Sequence, residues 1–189
     1  METIRTFIAI ELDFEIQKYL SSLQDQLKKA GADVKWVNPR NIHLTMKFLG
    51  DTPVGKIDAV ENVMRDATKK TPIFSIGLTH IGAFPTVDNP RVIWVGIDEG
   101  KKESASLALS LEEKLEKVGF QQENREFSAH ITIGCVRSPL NRLALCTVIK
   151  GLKINEKINQ QARRLILFKS TLTSQGPIYE ILKTADFEG

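Results

Sequence analysis

Apolar residues along this chain recur with two periods. Some stretches alternate in twos, as strands do, and others repeat every three or four positions, as helices do. Residues 4–12, from Ile4 to Leu12, are rich in Phe and Ile and predict a strand. Asp13 follows as a helix cap, and Ile16, Leu20, Leu23 and Leu27 make an apolar stripe that Gly31 ends. Val34 and Trp36 mark a short extended connector. A strand through residues 42–48 runs to Gly50-Asp51, and Thr52-Pro53 is the expected helix start. Ile57, Val60, Met64 and Ala67 form that helix's buried face. Further strands are expected at 73–81, 91–98, 127–134, 162–172 and 178–187, with helices at 101–118 and 139–149. A polar turn falls at Asp88-Asn89-Pro90.

Laid on itself with an offset of 87 residues, the pattern repeats. The strand at 4–12 falls on 91–99, the helix at 14–30 on 101–117, the strand at 73–81 on 160–168, and Pro90 on Pro177. This is an internal duplication of a strand–helix–strand–helix–strand unit, with units at about 4–82 and 91–172 and a final strand at 178–187. It predicts one two-lobed domain with pseudo-twofold symmetry rather than a solenoid. The two equivalent middle strands should then face each other across a cleft.

Those middle strands carry the candidate chemistry. Only three histidines occur, and two of them, His43 and His130, each begin a His-apolar-Thr-apolar frame. Strict alternation puts Ile42, Leu44, Met46 and Phe48 on the core face, leaving His43, Thr45 and Lys47 on the other. In the second copy Phe127, Ala129, Ile131 and Ile133 face the core, and Ser128, His130 and Thr132 face away. Imidazole titrates near neutrality and can give or take a proton. Displacement at phosphorus needs entering and leaving oxygens roughly in line, so an acid and a base on opposite sides suit it. Thr45 and Thr132 would bond the non-bridging oxygens, with Lys47 adding positive potential at the rim. Phe84 and Tyr179 are possible stacking partners for unpaired bases. His80 lies outside both frames and is read as structural.

Composition narrows this only modestly. Of 189 residues, 42% are hydrophobic, enough for a sizeable core, and a net charge of +3 is compatible with a phosphate-bearing ligand. No apolar run is long enough to span a membrane, and the N-terminus lacks the pattern of a secretory signal, so a cytoplasmic protein is expected. The two cysteines, Cys135 and Cys146, are expected to be reduced thiols. No Cys/His cluster or His-Glu-x-x-His frame predicts a metal.

The segments His43-Leu44-Thr45-Met46-Lys47-Phe48-Leu49-Gly50 and His130-Ile131-Thr132-Ile133-Gly134 resemble the two signatures of the 2H phosphoesterase superfamily. The opening Arg5-Thr6-Phe7-Ile8-Ala9-Ile10 and the close, from Lys169 to Tyr179, resemble its RNA 2',3'-cyclic phosphodiesterase branch, also called the LigT or 2'-5' RNA ligase family. The resemblance implies an α+β fold of two pseudo-symmetric lobes, each an antiparallel sheet with helices outside, around a central cleft. It implies hydrolysis of a terminal 2',3'-cyclic phosphate on RNA to a 2'-phosphomonoester, with no metal or cofactor. His43 would be the proton donor and His130 the proton acceptor. It also implies a role in RNA processing, with RNA ends, tRNA fragments among them, as partners. The lack of a long apolar run argues against a membrane, and the lack of an evident exposed apolar repeat suggests a monomer. Three alternatives stay open: reversible 2'-5' joining of tRNA halves, hydrolysis of small cyclic nucleotides, and a non-catalytic RNA- or nucleotide-binding module. One position departs from the family pattern. Where relatives often carry Arg after the Gly of the second signature, this chain has Cys135. Arg137 could replace that charge only if the strand bulges near Gly134.

Overall fold

The computed structural model describes residues 2–155, 157–174 and 176–188. Strand β1 (Thr3–Glu11) leads into helix α1 (Phe14–Lys28), where the Asp13 carboxylate accepts from the Ile16 amide at 3.0 Å. A short β2 (Val34–Trp36) precedes β3 (His43–Pro53), then α2 (Ile57–Thr68) and the hairpin β4 (Phe74–Thr86) and β5 (Asn89–Ile97). Helix α3 (Lys101–Lys117), β6 (His130–Val136), α4 (Arg142–Gly151), β7 (Asn159–Ala162), β8 (Arg164–Thr173) and β9 (Gly176–Asp186) complete the chain. Gly31 and Gly119 stand just past α1 and α3 with φ of +64° and +86°, the left-handed backbone that ends a helix.

Two expected helix starts fall elsewhere. Pro53 closes β3 instead of opening α2, which begins at Ile57 after a tight turn. The buried Thr52 hydroxyl is bonded to Thr6 on β1 at 2.8 Å, which keeps this stretch in the sheet. Pro139 forms a turn, its carbonyl accepting from the Arg142 amide, and α4 starts at Arg142.

The strands form two antiparallel sheets, ordered β3-β1-β8-β9 and β2-β6-β5-β4-β7. The sheets are not the two sequence repeats. The first repeat gives β1 and β3 to one sheet and β4 to the other, and the second gives β5 and β6 to one and β8 to the other. Helices are exchanged likewise: α2 and α3 cover the first sheet, while α1 and α4 cover the second. Each lobe therefore draws on both halves of the chain. One continuous apolar cluster runs from Ile8 to Phe187 through both lobes. A second, small cluster of Phe7, Ala9, Ile166 and Phe168, with Tyr179 against it, lies under the histidine of the first lobe. Among the described residues no helix is long and apolar enough to cross a membrane.

Candidate active site

The two signature strands meet between the lobes, with Cα atoms of β3 and β6 coming within 8 Å. Both strands bulge at the same place. On β3, Thr45 pairs with Ala9 and Lys47 with Ile8, leaving Met46 as the extra residue. On β6, Thr132 pairs with Trp94 and Gly134 with Ile93, leaving Ile133 as the extra one. Met46 and Ile133 are 87 residues apart, so the irregularity was duplicated with the strand.

The bulge overturns part of the alternation reading. Up to Thr45 the pattern holds: Leu44 is fully buried and His43 and Thr45 are half-buried. Beyond Met46 the faces exchange. Lys47 is 3% exposed and turns away from the cleft, its Nζ 2.7 Å from a Glu112 carboxylate oxygen and 3.0 Å from the Gln121 carbonyl. Phe48, expected in the core, is 60% exposed and lines the cleft. Lys47 thus holds α3 and the segment after it against β3, and adds no charge to the rim.

The histidines share one tether. His43 Nδ1 lies 2.7 Å from the Asn41 carbonyl, and His130 Nδ1 lies 2.7 Å from the Ser128 carbonyl. A carbonyl only accepts, so each Nδ1 carries the proton and each Nε2 is left for chemistry. Asn41 is itself anchored, its side-chain amide donating to the Pro177 carbonyl at 2.8 Å. The ring packing differs between the two. His43 stacks on Phe7 with centroids 4.7 Å apart and meets the edge of Tyr179 at 5.5 Å. His130 meets Phe84 edge to face at 5.0 Å and Trp94 at 6.1 Å. Phe7 and Trp94 are again 87 residues apart. Burial holds the His43 pKa below its ordinary value, partly offset by the bond to the Asn41 carbonyl.

A cavity of about 590 Å³ opens beside these strands, lined by His43, Thr45, Phe48, Thr132, Cys135 and Tyr179 among others. A somewhat larger hollow of about 660 Å³ lies at Glu11, Asp13, Gln160 and Arg164 and contains neither signature strand. The structure therefore gathers His43, Thr45, Thr132 and Tyr179 around one space. His130 sits two residues before Thr132 with its ring against Phe84, so Phe84 reaches the site as a wall of that imidazole. The bulge at Ile133 turns Cys135 into the cavity, whereas Arg137, exposed just past the end of β6, does not line it. His80 packs against Trp94 at 5.3 Å, outside the cavity. Among the described residues no three His, Cys, Asp or Glu side chains converge to hold a metal ion.

Several participants lay beyond the sequence reading. Phe7 and Trp94 were legible only as strand residues, and the Trp94 indole N–H is buried with no hydrogen-bond partner among the described residues. Gln24, on α1, donates 2.8 Å bonds to the Val37 and Ile133 carbonyls, so it secures the backbone of the second bulge. The 87-residue offset could have found Phe7 and Trp94 as a pair; nothing in the sequence pointed to Gln24.

The fold and site define a class: a duplicated α+β protein whose halves each bring a histidine–threonine strand to one cleft. The sequence pattern of the family described as LigT like Phosphoesterase matches residues 10–94 and again residues 95–179. The chain belongs to the LigT-like phosphoesterase family. It is 38% identical over 93% of its length to the RNA 2',3'-cyclic phosphodiesterase of Methanothermobacter thermautotrophicus, covering 95% of that protein. To the enzyme of the same name from Aquifex aeolicus it is 32% identical, with 97% of both chains covered. A crystal structure from Thermus thermophilus shares the fold with a TM-score of 0.82 at 22% identity, covering 98% of this chain and 99% of that one. Apo LigT from E. coli matches with a TM-score of 0.79 at 23% identity over the whole of both chains.

Proposed function

We propose that this protein hydrolyses the terminal 2',3'-cyclic phosphodiester of RNA to a 2'-phosphomonoester, with His130 as base and His43 as acid. The observation that carries this reading is the matched pair of imidazoles, each donating Nδ1–H to a backbone carbonyl and each followed by a threonine on the cavity wall. In the reaction His130 Nε2 takes a proton from water as its oxygen attacks phosphorus. The bond to the 3' oxygen breaks, and that oxygen takes the proton from His43 Nε2. The Thr45 and Thr132 hydroxyls donate to the non-bridging oxygens, where charge builds.

The depressed pKa of His43 fits this role once substrate is counted. An empty, partly apolar pocket disfavours the imidazolium. A bound phosphodiester anion favours it, so substrate binding shifts the His43 pKa back upward, towards the charged acid this role needs. Tyr179, with a half-buried hydroxyl whose pKa burial raises, keeps its proton and presents a neutral edge. The same reading makes RNA fragments with cyclic ends, tRNA halves included, the substrates, and the protein a cytoplasmic monomer.

The test is an oligoribonucleotide with a 2',3'-cyclic end, incubated with the protein in EDTA and followed by phosphorus NMR. The expected product is the 2'-phosphate. A 3'-phosphate would reverse the assignment of the leaving oxygen, and tight binding without product would make the protein a binding module.

A further inference from the structure

The cleft is built for an anion, yet it is poor in fixed positive charge. Lys47 points away from the cavity into its pairing with Glu112, and Arg137 does not line it. Lys169 is committed to Glu180 at 3.1 Å. Arg5 lines a separate hollow of about 180 Å³ on the far side of Phe48 and Tyr179. Among the described residues that line the cavity, Lys35 is the only lysine or arginine.

Its position is set by the sheet. In the β2–β6 ladder Lys35 pairs directly with Cys135, and residues directly opposite one another project from the same face. That face carries Thr132 and, through the bulge at Ile133, Cys135 into the cavity. The neighbouring Trp36 pairs with Gly134, packs against the core and also lines the cavity. Among the described residues no carboxylate pairs with Lys35, whereas Lys47 on β3 is matched to Glu112 and Lys169 on β8 to Glu180. Cys135 is exposed and puts a small side chain opposite the lysine on the cavity lining.

We propose that Lys35 is the cation that holds the substrate's phosphate, reaching over Cys135 from the edge strand β2. The inference rests on the hydrolytic reading for its substrate, but its test does not. The competing role for a lysine here is protection: a charge on an edge strand blocks pairing with another sheet. That role needs no phosphate and predicts no change in phosphate affinity.

The experiment compares wild type with Lys35→Met, which keeps the stem and removes the charge. Binding of inorganic phosphate is measured by calorimetry, and KM and kcat on the cyclic-ended oligoribonucleotide are measured in parallel. A hydrogen bond between charged groups is worth roughly a tenfold to hundredfold factor, so Lys35→Met should weaken phosphate binding and raise KM by about that much, with kcat moving less. The salt dependence of binding should lose about one counterion, and Lys35→Arg should retain wild-type affinity. Cys135→Arg, added to Lys35→Met, puts a cation on the same face and should restore the affinity. Unchanged phosphate binding in Lys35→Met overturns the proposal. So does a loss accompanied by a fall in melting temperature that neither Lys35→Arg nor Cys135→Arg repairs. Wild-type turnover with an unaffected Lys35→Met sinks this inference alone. No wild-type turnover, with phosphate binding that still depends on Lys35, sinks the hydrolytic reading alone.

Discussion

The strand bearing His43 and the strand bearing His130 keep the same backbone and differ in what surrounds it. Both place Nδ1 on the carbonyl two residues back, both carry threonine two residues on, and both bulge at the next position. Around them the side chains diverge. His43 lies flat on Phe7 within an aromatic cluster, while His130 meets Phe84 and Trp94 edge on. After the bulge the first strand shows Phe48 to the cavity and the second shows Cys135. The first buries Lys47 against Glu112, where the second has Gly134 against Trp36. The shared backbone geometry places two equivalent imidazoles, and burial of His43 holds its pKa below the ordinary value. A duplicated strand can thus keep its backbone while the packing around its histidine changes.

Removing either imidazole is the strongest way to break the comparison. His43→Ala and His130→Ala should each lower kcat by about 10²–10⁴-fold, measured by turnover of the cyclic-ended oligonucleotide. The double variant should fall far short of the product of the two losses, because the groups act as a unit. Thr45→Val and Thr132→Val should follow, at no more than about 10²–10³-fold each. Turnover that survives in one histidine variant would end the two-histidine reading.

A second contrast concerns support. Lys47→Met leaves Glu112 without its cation. Gln24→Leu removes the side-chain donor from the Val37 carbonyl and one of the two donors, with the Val37 amide, from the Ile133 carbonyl, so each substitution should cost about 1–3 kcal/mol in a denaturant titration. Lys47→Met should leave phosphate affinity unchanged, because its charge is not in the cleft. Gln24→Leu should disturb the NMR signals of His130 more than those of His43.

The smallest effect sharpens the electrostatic difference. The folded pKa of His43 lies below the ordinary value near 6.5, so the unfolded chain binds its proton first as pH falls. Above 6.5 this contribution to stability is fully present. It is lost progressively as pH drops from 6.5 towards the folded value. His43→Gln should flatten that stretch of a melting-temperature profile. Proton NMR should show the His43 ring titrating below the ordinary value, and added phosphate should move it upward.

Much of this was legible in advance. The two frames named His43, Thr45, His130 and Thr132, and the 87-residue offset predicted two related halves. The stop signals at Gly31 and Gly119 fell where the helices end. What failed depended on distant parts of the chain. Strict alternation assumes no extra residue, so Lys47 and Phe48 were assigned to the wrong faces by a bulge whose only trace in the sequence is its repetition. Pro53 was read as a helix start because its pairing with β1 is a long-range contact. Lys35 drew no notice because its relation to Cys135 spans 100 residues of chain.

Local order, then, came from the sequence: which segments are strands or helices, which residue types can move protons, and that the pattern occurs twice. These depend on side-chain period and on backbone preferences acting over a few residues. Tertiary structure decided the exchange of strands between the repeats, the faces beyond each bulge, the burial of His43, and the placing of Lys35 at the cavity. Each of these depends on which distant segment packs alongside, and hydrophobic burial and ladder pairing settle that only once the whole chain has closed.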